Sequence, residues 1–289
     1  MSAQPMQRAR VNGAELEFEV RGSGAIPVVF IHGGIVADAF VPLFGEPALT
    51  ERYRLIHYHR RGYGGSERPA GPASIPQQAE DCLALMRLLG IERAHVVGYS
   101  FGGLIALQLA RGAADRVHSL ALLEPPLPGA VTDPADQQYF MEAVARGLEL
   151  HGAGDAAGAI DAYSKRAFGA GYRAALDRAL PGAFEQAVRD ADAFFQVDLP
   201  ALQQGRFTRE DAARIEQPLL SAYHQDPAWG GFRATHELVL SWFPQAETFV
   251  LPVDSHLLMM LDLQGMAQRL AAFFARYPLD APRRGGDAL

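Results

Sequence analysis

The sequence predicts an α/β chain: a mostly parallel sheet with helices on both faces, interrupted by one inserted helical cap. Three observations predict it. Short, nearly continuous apolar runs alternate with longer segments of helical period, the signature of strands buried on both faces and joined by crossover helices. Strand-like runs stop near residue 126 and resume only near 218, with alanine-rich, charged, helical sequence between them. The chain has 289 residues, 49% of them hydrophobic, enough for one sizeable core plus an insertion. The expected division is a core of residues 1–126 and 216–289 and a cap of residues 127–215.

Taken in order, AELEFEV (14–20) places Leu16, Phe18 and Val20 on one face, as in a half-buried antiparallel strand near an edge. Ile26–Ile31 is nearly all apolar and ends in His32-Gly33-Gly34, where glycines let a backbone amide face a ligand. YRLIHY (53–58) is the next strand and runs into His59-Arg60-Arg61-Gly62-Tyr63-Gly64-Gly65-Ser66. Ser74, Gln77 and Pro76 mark the start of a helix. It carries Ala79, Cys82, Leu83, Met86 and Leu89 on one stripe and stops at Gly90. Cys82 on that stripe reads as a small core residue rather than a reactive thiol.

Residues 94–99 form a strand and Phe101 to Gly112 a helix; between them stands Gly98-Tyr99-Ser100-Phe101-Gly102-Gly103. Gly-x-Ser-x-Gly between strand and helix is a nucleophile elbow, a turn so tight that its flanks tolerate almost no side chain. Gly103 is expected to let the new helix press close to the sheet. The serine oxygen would stand clear of the backbone over the free amides of a helix N-terminus, where negative charge is favoured. Val117–Leu123 is the following strand and stops at Glu124-Pro125-Pro126. After the helical stretch of about 133–215, strands return at 218–223 and 248–251, with helices near 231–242 and 263–276. His256 lies in the proline-bounded loop Pro252–His256 before the last helix.

Composition narrows the function. The formal net charge is −7 and no basic run or basic–aromatic stripe occurs, which argues against nucleic acid as a partner. One cysteine permits no internal disulfide, and one lysine beside 25 arginines reads as genomic base composition. No apolar run approaches the ~20 residues of a membrane span, and MSAQPMQRARVNG holds no apolar signal segment, so a cytoplasmic protein is expected. No phosphate loop, dinucleotide fingerprint or metal cluster is legible, so no cofactor and no metal are expected. His57 and His59 share a strand face as two metal ligands might, but no third ligand is evident, and they read as structural.

His32-Gly33-Gly34, Arg61-Gly62-Tyr63-Gly64-Gly65-Ser66, the elbow and His256 resemble, in order and spacing over residues 10–277, the α/β-hydrolase superfamily. The resemblance implies a capped serine hydrolase with Ser100 as nucleophile and His256 as general base. It also implies an oxyanion hole formed by the amide of Phe101 and one from the Gly33–Gly34 turn, with Gly34 the preferred donor and Gly33 the alternative. The acid departs from the commonest pattern, an aspartate in a Gly-x-x-Asp turn after the penultimate strand. Here that turn reads His224-Gln225-Asp226-Pro227, with proline where the aspartate would lie. Glu124, at the end of the strand after the elbow helix, is the preferred acid, in an arrangement that resembles haloalkane dehalogenases and the zearalenone-type lactonases. Asp226 is the alternative and Asp254 a third choice. His59 stands where the family usually has aspartate, a change expected to alter loop support rather than chemistry.

A serine nucleophile implies an acyl-enzyme and cleavage of a carboxylic ester or lactone. Epoxide hydrolases and haloalkane dehalogenases of this fold need a carboxylate at the elbow instead. A carbon–carbon hydrolase, a cofactor-free oxygenase or a ligand-binding receptor module on the same fold stays open. The expected substrate is small and apolar, under a cap whose candidate lining residues are Tyr139, Phe140, Phe168, Phe194 and Phe195, each of which could instead only pack the cap's helices together, in a monomer or homodimer.

Overall fold

A computed structural model describes residues 6–225 and 230–280. Its strands are β1 (Gln7–Val11), β2 (Ala14–Arg21), β3 (Ile26–Ile31), β4 (Tyr53–Tyr58), β5 (Ala94–Tyr99), β6 (Val117–Leu123), β7 (Leu219–His224) and β8 (Ala246–Leu251). They form one sheet in the order β1-β2-β4-β3-β5-β6-β7-β8. β1 and β2 pair antiparallel, as do β2 and β4; every other pairing is parallel. The sheet is therefore the α/β architecture that the alternating pattern predicts.

β1 was not legible in the sequence. Its Gln7-Arg8-Ala9-Arg10-Val11 offers only Ala9 and Val11 as an apolar face, too short to read as a strand, and its charges are paired across the ladder. Arg8 reaches Glu15 and Glu17 of β2, the kind of charged edge that discourages further pairing.

The strand order reverses at β3: β4 lies on one side of it and β5 on the other. Loops leaving β3 and β5 therefore diverge at the carboxyl edge, opening the crevice where ligands bind in sheets of this kind. Among the described residues the helices Ile75–Leu88, Phe101–Gly112 and Gly231–Trp242 share the buried cluster on one face. Ile75–Leu88 is capped by Ser74, whose side chain accepts from the Gln77 amide, and buries Cys82 completely. Phe101–Gly112 starts at Ser100.

Between β6 and β7 come helices Pro134–Gly152, Ala156–Phe168, Tyr172–Ala179 and Ala183–Arg189. A π-helical turn, Ala193–Asp198, then runs into Leu199–Gln204, and a short helix Arg209–Ala212 closes the insertion. Asp133 and Asp155 cap the first two helices by accepting main-chain N–H groups. The insertion does not carry a core of its own. One buried cluster joins Val28, Phe30 and Val97 of the sheet to Val144, Ile160 and Phe168 of the insertion. Among the described residues no helix is long and apolar enough to cross a membrane.

Candidate active site

Ser100 sits between β5 and its helix at φ 50°, ψ −125°, a conformation that costs a non-glycine residue about 1–3 kcal/mol. The close approach that forces it is visible at the neighbouring glycines. A Cβ on Gly98 would come within 2.7 Å of the Gly103 Cα, and one on Gly102 would run into the carbonyl oxygens of Ile31 and His32. Gly103 therefore allows the approach of helix to strand, and it also faces Pro125 after β6. The Ser100 amide donates to the Leu123 carbonyl at 2.8 Å, prolonging the β5–β6 ladder into the turn. Four non-glycine residues among those described have positive φ: Asn12, Ile35, Ser100 and Glu124. The last three line one cavity. Strain gathered at one spot marks a site that the surrounding fold holds against its local preference.

Glu124 follows β6 and is fully enclosed. Its Oε2 accepts from His256 Nδ1 at 2.5 Å. Its Oε1 accepts from both the Nδ1 (2.5 Å) and the main-chain N–H (2.7 Å) of His224. Burial alone would push this carboxyl up, but the imidazole N–H groups of His224 and His256 outweigh it and hold the group below the ordinary glutamate range. His256 is stacked between aromatic rings, with Phe232 at 4.5 Å and Phe168 at 5.8 Å, and the Tyr99 hydroxyl donates to its carbonyl oxygen at 2.8 Å. With Nδ1 donating to Glu124, Nε2 is left as an acceptor. The structure thus brings Glu124 to His256. Asp254 is exposed, and Asp226 lies outside the described residues.

The loop after β3 supplies the opposite wall. Ile35 adopts φ 66°, rare for a β-branched residue, and Gly34 lines the cavity with Phe101. Among the described residues the main-chain N–H groups of Gly34, Ile35 and Phe101 have no acceptor. His32 accepts the Arg60 amide on Nε2 and donates from Nδ1 to the Gly33 carbonyl. Burial, with Arg60 adding to it, drives its basicity far down, so it stays neutral and structural.

Arg60, 1% exposed, ties this loop to the insertion. Its guanidinium donates to the carbonyls of His32 and Gly33 on one side and forms a two-pronged pair with Asp198 at 2.7 and 2.8 Å on the other. The Tyr63 hydroxyl also donates to Asp198, at 2.6 Å. Asp198 ends the π-helical turn and reaches the cavity wall. Sequence reading missed both Asp198 and His224.

The cavity itself measures about 430 Å³ and lies between the carboxyl edge of the sheet and the insertion. Tyr139, Phe140, Phe168 and Phe194 line it, as the sequence suggests. Phe195 does not: it stacks on His151 at 4.9 Å, away from the wall.

The reading of His57 and His59 lacked a partner that the structure supplies. Asp38, from the loop after β3, offers a carboxylate oxygen within 4.8 Å of a nitrogen of each. His59 donates to Asp38 at 2.8 Å and to Glu17 at 2.9 Å. Burial disfavours its charge, yet the two carboxylates raise it to about 9, so an imidazolium occupies the centre of the cluster. The two carboxylates on His59 make the cluster an ion-paired support of the 59–66 loop.

Comparison with known proteins agrees with this architecture. The family described as alpha/beta hydrolase fold matches residues 26–221. The chain is 30% identical over 281 residues to the acetyltransferase component of the acetoin-cleaving system of Pseudomonas putida, covering 94% of this chain and 70% of that one. It is 36% identical over 119 residues to a protein named as a carbamate hydrolase in Azorhizobium caulinodans, covering 41% of this chain and 44% of that one. Among solved structures, the enol-lactonase of Burkholderia xenovorans superposes with a TM-score of 0.71 at 23% identity, over 93% of this chain and 100% of the other. At that identity the likeness speaks for the fold alone.

Proposed function

Because the chain belongs to the alpha/beta hydrolase fold family, we propose that it is a serine hydrolase that cleaves a carboxylic ester or lactone of a small, mostly apolar substrate. Family membership supports hydrolysis in general. The observation that carries the finer reading is the meeting of Ser100, on its strained turn, with the Glu124–His256 pair at one aromatic cavity.

In this reading Ser100 Oγ attacks the carbonyl carbon while His256 Nε2 takes its proton. Glu124 fixes the tautomer and stabilises the imidazolium that forms. The carbonyl oxygen gathers charge and is met by the amides of Phe101 and Gly34, which have no other acceptor among the described residues. The imidazolium then protonates the leaving alkoxide. Water, activated by the same ring, cleaves the acyl-enzyme and restores the serine. Residues 127–215 act as a lid whose aromatic underside excludes water and favours an uncharged substrate.

A fluorophosphonate probe tests the proposal against the receptor reading. Labelling of Ser100, located by peptide mass, is expected in the native protein and not in Ser100→Ala. The same substitution should lower turnover on the best substrate of an ester and lactone panel by several orders of magnitude. A variant that keeps more than a few per cent of the rate would overturn the serine mechanism.

A further inference from the structure

His224 stands where the family pattern has the glycine of its acid-bearing turn, yet it ends β7 with its ring buried against Glu124. We infer that His224 is a positioning residue for the reaction, holding the Glu124 carboxylate in the plane and rotamer that His256 requires; the inference rests on the serine-hydrolase reading above.

The need for it follows from the backbone. A glutamate has one more rotatable bond than an aspartate, and Glu124 leaves β6 at φ 51°. Its carboxylate must reach across the end of β6 and stop at one orientation, which forfeits side-chain freedom. Two donors from one residue stop it: the His224 main-chain N–H and Nδ1–H both meet Oε1, leaving Oε2 for His256. β7 pairs in parallel with β6, with Leu123 opposite Ala222, so the residue two further along β7 falls beside Glu124. The Glu124 amide donates to the Ala222 carbonyl, locking that register. The His224 ring packs edge-on to Phe232 at 5.0 Å and is not part of the cavity wall, whereas His256 is. His224 therefore acts on the acid, and the proton of Ser100 goes to His256.

The other titratable groups around the pair are Tyr99, whose hydroxyl is occupied by the His256 carbonyl, and His236, which burial pushes down to about 4 and which bonds to Ser221. Tyr163 lines the cavity as well, with its ring against Phe194. None of them bonds to the Glu124 carboxylate among the described residues.

The test uses isosteres. An asparagine side-chain N–H falls near the Nδ1 position of histidine, whereas a glutamine places its amide near Nε2. His224→Asn should keep kcat within about fivefold, and His224→Gln and His224→Leu should lower it ~10- to 100-fold with KM little changed, the effect of losing a hydrogen bond to a charged group. Freed of one donor, Glu124 bears more charge toward His256. The acidic limb of kcat/KM should therefore move to higher pH in His224→Gln and stay in place in His224→Asn. Melting temperatures are read in parallel. Equal rates and limbs in the asparagine and glutamine variants overturn the inference, even if the leucine variant fails to fold. Activity surviving in Ser100→Ala would instead overturn the serine mechanism itself, so the two failures are distinguishable.

Discussion

Replacing Glu124 by glutamine removes one charge and rearranges the protons on the ring it holds. Three N–H groups converge on the carboxylate, two at Oε1 from His224 and one at Oε2 from His256. An amide has one oxygen to offer. Placed toward His224, that oxygen satisfies two donors and turns the NH₂ toward His256 Nδ1. The ring must then accept there, its proton moves to Nε2, and the nitrogen that the proposed mechanism needs as proton acceptor can no longer take a proton. The reverse orientation leaves two buried donors facing an NH₂ and is the worse choice. Loss of the correct tautomer, with loss of the charge that stabilises the imidazolium, is expected to lower kcat by ~10⁴. Hydrolysis of a chromogenic short-chain ester measures it, after circular dichroism has shown that the variant is folded, with Asp226→Asn as comparison. A Glu124→Gln enzyme within tenfold of the parent would refute the reasoning, as would a large loss confined to Asp226→Asn.

Two further expectations concern the scaffold. Asp198→Ala strands the buried Arg60 guanidinium and the Tyr63 hydroxyl; removing one partner of such a pair typically costs about 3–5 kcal/mol, readable by urea unfolding, and an unchanged midpoint would show that Arg60 finds another acceptor. His59 is raised to about 9 in the folded state. Its contribution is therefore fully present below the unfolded value of about 6.5 and lost as pH rises through about 9, on the order of 3 kcal/mol over that window. Melting temperature should fall between pH 6 and 9.5 in the parent and fall less in His59→Gln; parallel curves would remove His59 as the cause.

What was legible in the sequence is what the backbone writes locally. The elbow demands glycine at 98 and 102, and the buried strands demand unbroken apolar runs, so both can be read from a few residues. The lean toward Glu124 came from Pro227 standing where the usual aspartate would lie, and the structure does bring Glu124 to His256. What stayed hidden depends on distance. Asp198 meets Arg60 from 138 residues away, and its carboxylate looked like any other polar residue in a helical run. Asp38 reaches His59 from a loop that also holds Ile35 in a left-handed conformation no propensity favours. His224 was seen only as a missing glycine, since its neighbour is fixed by the β6–β7 register. Phe195 was misplaced because helical period alone could not say which side of the π-helical turn faces the cavity.

The buried cluster shared by sheet and insertion sets terms for altering what the protein accepts. Val144, Ile160 and Phe168 belong to one buried cluster with Val28, Phe30 and Val97, so the insertion and the sheet share a core. A foreign lid grafted between β6 and β7 would arrive with the wrong underside and open voids of the kind that destabilise cores by several kcal/mol. New selectivity is more readily reached by exchanging single side chains on the cavity wall, such as Tyr139 or Met141, that lie outside the shared cluster. The cavity wall can thus be varied by point substitution without disturbing the elbow, while the insertion and the sheet must change together.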